Sequence, residues 1–114
     1  MAIKVYAEIG KLNHIGRVGE NKAEILIFDV SKIMNNFGTN GNFSLFINQN
    51  GDLFIETENV SKNINNKTVE WTITDQYTTN INRGKCQLVY TISDIIIKSE
   101  VYDIIVTEAY EGDD

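Results

Sequence analysis

Apolar and polar residues alternate with a period of two along much of this chain, the pattern of strands buried on one face. Ile3, Val5 and Ala7 alternate with Lys4, Tyr6 and Glu8. Residues 22–30, Lys-Ala-Glu-Ile-Leu-Ile-Phe-Asp-Val, are too apolar in the middle for an exposed edge. Phe43-Ser44-Leu45-Phe46-Ile47 and Leu53-Phe54-Ile55-Glu56 flank an Asn50-Gly51 pair, the residues that tolerate positive φ, so a hairpin is expected there. Thr68–Thr74 puts Val69, Trp71 and Ile73 on one face, and Gly84–Ile92 puts Cys86, Leu88 and Tyr90 on one face. Asp94–Lys98 and Glu100–Thr107 complete the set.

These segments predict an all-β fold, an antiparallel β-sandwich of immunoglobulin-like or jelly-roll-like kind with seven to nine strands. Helix is confined to one turn at Ser31–Asn36, with Asp29 or Ser31 near a capping position and Gly38 beyond its end. The connections are short and rich in Asn, Gly, Asp and Thr. There is no internal repeat and no linker, so residues 1–114 are expected to form a single domain, with a short acidic tail at about 108–114. The polar stretch Lys11–Asn21 separates the first strand from the rest. That strand is therefore expected either to complete its own sandwich or to pair with a neighbouring chain.

Composition narrows the function classes. Hydrophobic residues at 42% and charged residues at 23% describe a globular chain that needs no disulfide or metal to hold a core. A net charge of −6 leaves no basic face for a phosphate backbone, so nucleic acid is not an expected partner. No run approaches the ~20 apolar residues of a membrane span, and the first residues lack a signal-peptide core. The expectation is a protein made in a bacterial cytoplasm, with no membrane partner.

Candidate chemistry is sparse. The single cysteine, Cys86, excludes an internal disulfide and is expected to be a small buried hydrophobe. The single histidine, His14, reads as part of a polar turn far from it. Asp75, Asp94 and Asp103 do not form a calcium-loop run, and Gly38 and Gly41 lack the Lys-Ser/Thr of a phosphate loop. The Asn-x-Ser/Thr triplets at Asn42, Asn59 and Asn66 fit chance in an Asn-rich chain. Exposed aromatics beside turn residues, such as Tyr77, would be the ones to stack on a sugar, against the plainer reading that such a ring leans on a neighbouring loop. Trp71 reads as core. No catalytic, cofactor-binding or metal-ligating residue emerges, and the chain is not expected to be an enzyme.

One set of residues carries a resemblance. Val69-Glu70-Trp71-Thr72-Ile73-Thr74-Asp75, then Thr78, Gly84-Lys85-Cys86-Gln87-Leu88-Val89-Tyr90 and Asp94–Tyr102 with Lys98-Ser99, follow one another in a characteristic order. Upstream, Ala23–Ser31 and Gly51-Asp52 fit the same pattern. Over roughly residues 22–107 the chain resembles the N-terminal β-sandwich of upper baseplate proteins and related virion proteins of phages of Gram-positive bacteria. It departs from that pattern in lacking proline, where an Arg-Pro-like pair would stand near Asn48–Asn50. Baseplate members continue into a helical stem or fibre, and this sequence stops at Asp114. The resemblance therefore implies a virion structural protein, a capsid decoration or head-fibre-type subunit. Its partners would be the major capsid protein or baseplate and tail proteins, with a homo-oligomer also open. A baseplate or tail component is the alternative within that class, and a carbohydrate-binding module the alternative outside it. On physical grounds these motif residues are expected to do structural work: Trp71 fills the space between two sheets, Thr74-Asp75 cap the following turn through side-chain hydrogen bonds, Gly84 permits a bend opening the next strand, and Lys98-Ser99 mark a junction between strands.

Overall fold

The computed structural model describes residues 2–109. Its strands are β1 (Ile3–Tyr6), β2 (Leu12–Arg17), β3 (Glu24–Asp29), β4 (Asn42–Gln49), β5 (Asp52–Glu56), β6 (Val60–Asn63), β7 (Thr68–Thr72), β8 (Asn82–Ile92), β9 (Ile95–Lys98) and β10 (Tyr102–Thr107). One helix, α1 (Ser31–Phe37), and a 3-10 turn at Asp75–Tyr77 interrupt them. The strands form two sheets, β1-β3-β7-β6 (sheet A) and β2-β10-β8-β4-β5 with β9 beside β8 (sheet B). The fold is an all-β sandwich.

The core lies between the sheets and is built by the alternation read from the chain. Leu26 and Phe28 of β3 and Val69 and Trp71 of β7 meet Leu45 and Ile47 of β4, Cys86, Leu88 and Tyr90 of β8 and Ile104 and Val106 of β10. All are buried, as is Ile73 just past β7. Trp71 packs edge-on to Tyr77, with ring centroids 5.4 Å apart at 77°. Its indole N–H is buried and makes no hydrogen bond among the described residues, so the ring acts by volume alone.

Two strands escaped the reading of the chain, bringing the total to ten. In β2 a bulge inserts Ile15 between the residues that pair with Ile105 and Val106, and Gly16 at φ 149° accommodates it. The apolar alternation is broken there by Asn13, His14 and Gly16, so a strand looks like a polar stretch. β6, Val-Ser-Lys-Asn, has too little apolar content to register as a strand. The sandwich is also not purely antiparallel, because β1 runs parallel to β3 and β2 parallel to β10.

The local signals mostly hold. Asn50 and Gly51 take φ of 53° and 84°, closing the β4–β5 hairpin with the left-handed pair that matches strand twist. Helix α1 inserts Met34 into the core, and Gly38 N–H closes it onto the Met34 carbonyl. Asp29 Oδ1 accepts from Ser31 N–H at 2.9 Å, which holds the Asp29 carboxyl below its ordinary range, although the residue at the cap itself is Val30. Ser99 serves as the junction expected of it, exchanging hydrogen bonds with Leu88 through its own N–H and its Oγ.

Other motif roles need correction. Thr74 and Asp75 make no side-chain cap; the turn is held from outside, by Asn21 Oδ1 accepting from Asp75 N–H at 3.0 Å. Gly84 lies inside β8 and opens no bend: a Cβ there would collide with the Asn48 carbonyl oxygen, so glycine is required by close approach of β4. Of the acidic tail, 110–114 lie outside the described residues.

Replacing Trp71 by Ala should cost about 3–5 kcal/mol, enough to unfold a domain of ordinary stability. Trp71→Phe should cost far less, since it keeps most of the ring's buried volume. Thermal melts of the two variants check both; equal losses would show that the indole does more than fill space.

Candidate interaction surface

The single cysteine and the single histidine are tied up in structural contacts. Cys86 is buried, and burial, with the Asp103 charge adding to it, pushes its thiol up to about 12, the opposite of an activated nucleophile. His14 is not in a turn but in β2, where Nδ1 lies 2.9 Å from Glu24 Oε2 of sheet A and Nε2 lies 2.8 Å from Thr107 Oγ1 of sheet B. It laces the two sheets together at one edge. Asn13 does the same for the preceding turn, accepting from Glu8 N–H and donating to the carbonyls of Glu8, Lys11 and Asp103.

Tyr77 is buried, so it offers no stacking surface to a sugar. Its hydroxyl donates to Glu56 Oε1 at 2.8 Å, its ring packs edge-on to Phe54 at 5.5 Å, and its carbonyl accepts from Gln49 Nε2 at 3.0 Å. Burial and the Glu56 carboxylate both push the phenol well above its ordinary range. The other Glu56 oxygen accepts from the backbone N–H and the side-chain amide of Asn59, both at 3.2 Å. A buried carboxylate is thus supplied with donors on both oxygens, as burial of a charge requires. The Asn59 amide is engaged; Asn42 and Asn66 are exposed.

Among the described residues no group of three or more His, Cys, Asp and Glu side chains is placed to hold a metal ion, and Asp75, Asp94 and Asp103 do not converge. No described helix is long and apolar enough to cross a membrane. A shallow open basin on the outer face of sheet B, between Gly51, Gly84 and Gly10, is rimmed by Lys11, Arg83 and Lys85. Its charge is partly cancelled in place, since Lys85 pairs with Asp103 at 2.7 Å and Lys11 with Glu8 at 2.9 Å.

What the fold leaves open is edges. Along β5, the last strand of sheet B, Leu53 and Ile55 stand 60% exposed on the outer face, beside half-buried Phe46 of β4. A two-residue turn makes Gln49 and Asp52 the closing hydrogen-bonded pair, so alternation turns the N–H and C=O of Leu53 and Ile55 away from β4. Hence the same residues present apolar side chains outward and main-chain groups to an open edge. Along β1, the first strand of sheet A, Ile3, Val5 and Tyr6 are 62%, 44% and 59% exposed. Sequence reasoning located both strands but not their edge positions, because edge status depends on long-range pairing.

No protein-family model matches this chain, and no curated protein matches it.

The Tyr77 hydroxyl is the bond through which the turn after β7 grips β5. Tyr77→Phe should therefore destabilise the fold by about 1–3 kcal/mol, the cost of leaving a buried acceptor short of a donor. Denaturant titration measures it; an unchanged midpoint would show that Glu56 is satisfied without Tyr77.

Proposed function

We propose that this chain is a structural subunit of a phage virion, bound to the capsid surface as a decoration or head-fibre-type protein. The observation that supports it most is the β4–β5 edge, where exposed Leu53 and Ile55 coincide with main-chain groups facing outward. Exposed apolar side chains on an open edge invite a partner, by burial of apolar surface and by strand addition together. The resemblance over residues 22–107 names the class of partner, other virion proteins. Its motif residues Trp71, Cys86, Leu88 and Tyr90 are core residues, in keeping with a module whose motif preserves a scaffold. Tyr77 faces the interior and offers the sugar-binding alternative no stacking surface.

The test is binding of the recombinant chain to phage particles that lack it, followed by electron microscopy of the particles. Extra density on the capsid, abolished by Ile55→Glu, is the expected result; the substitution lies on the outer face and should leave the fold intact. Density at the tail tip instead would favour a baseplate component. Absence of binding to any part of the particle would overturn the virion reading.

A further inference from the structure

The open side of β1 is complementary to itself. In a parallel pair only alternate residues of a strand bond to a given neighbour. Ile3 N–H donates to the Ala23 carbonyl at 2.9 Å and Ala7 N–H to the Ile27 carbonyl at 2.7 Å, so the odd-numbered residues serve β3. Lys4 and Tyr6 consequently turn their N–H and C=O groups to the open edge. Nothing in β1 guards that edge: it contains no proline, glycine or bulge, and the Lys4 ammonium is drawn back over the sheet toward Glu70 of β7, 3.4 Å away.

We propose that β1 pairs antiparallel with β1 of a second copy about a two-fold axis through Val5, joining the two four-stranded sheets into one continuous sheet. In this register every outward N–H and C=O of Lys4 and Tyr6 finds a partner, Lys4 against Tyr6 of the second copy. The ammonium then lies beside an aromatic ring rather than another cation, a favourable neighbour. On the other face Val5 meets Val5, at the close spacing of a pair without hydrogen bonds, and Ile3 meets Ala7. Shifting the axis to Lys4 would oppose two ammonium groups. Shifting it to Tyr6 would call on Glu8, whose N–H is already donated to Asn13 at 2.9 Å.

The edges of β5, β2 and β6 fit a second copy less well. Self-pairing of β5 about Phe54 would set Asp52 against Glu56, like charges face to face. β2 carries its bulge, and β6 is polar. A single short strand buries an area at the low end for specific interfaces, so the dimer is weak and grows with concentration. The proposal does not depend on the virion reading, and it leaves the β4–β5 edge free for another partner.

Sedimentation of the full chain over a wide concentration range tests it, at about 0.15 M salt, where charges more than ~8 Å apart are screened. The wild type should pass from monomer to dimer. Tyr6→Pro removes an outward N–H while sparing every bond to β3, and should weaken dimerisation by about tenfold or more with an unchanged circular dichroism spectrum. Val5→Lys and Val5→Glu should each be monomeric alone, and their mixture should recover the dimer. A wild type that stays monomeric at its highest soluble concentration would overturn the proposal. So would a dimer that persists in either charged variant, or a charged mixture that fails to associate. The wild-type mass and the mixed pair decide the question even if the proline variant unfolds.

Discussion

At the β5 side Tyr77 joins the two sheets. It sits in the turn that follows β7 of sheet A, with its ring against Trp71 of that sheet and Phe54 of sheet B. Its hydroxyl anchors the Glu56 carboxylate and its carbonyl anchors Gln49, so both strands of the β4–β5 hairpin are fixed from one point. Because Glu56 and Phe54 are held inward, the alternation of the strand places Leu53 and Ile55 outward. The exposed apolar edge is therefore a consequence of the buried polar contact. At the opposite side the sheets are laced by His14, between Glu24 and Thr107.

This division of labour explains why the surface that we propose is functional is made of ordinary residues. The thiol is packed, the imidazole spans the sheets, and the buried Glu56 carboxylate is bonded on both oxygens. The open edges present backbone and the aliphatic side chains around it. Strand addition asks for no particular side chain, which leaves such a surface without a motif.

Most of the fold was legible in the sequence because period-two alternation is a local signal. The faces of β7 and β8 follow from Val69, Trp71, Cys86, Leu88 and Tyr90, and the hairpin from Asn50-Gly51. β2 was hidden because its bulge at Ile15 breaks the alternation that reveals a strand. Tyr77 looked like a loop aromatic because its burial depends on Phe54 and Glu56, about twenty residues away and on the other sheet. The parallel pairing of β1 with β3, and with it the open edge, was equally out of reach, since strand order is a property of the whole topology.

The central proposal is that this protein works through the open edges of its sandwich. Residue-resolved amide hydrogen exchange, compared between the dilute chain and the chain bound to the particle that we propose it decorates, tests it most directly. The account predicts rapid exchange at Leu53 and Ile55 in the dilute protein, against slow exchange at Leu45 and Ile47, with protection appearing at Leu53 and Ile55 on binding. Protection of those edge amides already in the dilute monomer, or new protection confined to regions other than the sheet edges, would contradict it.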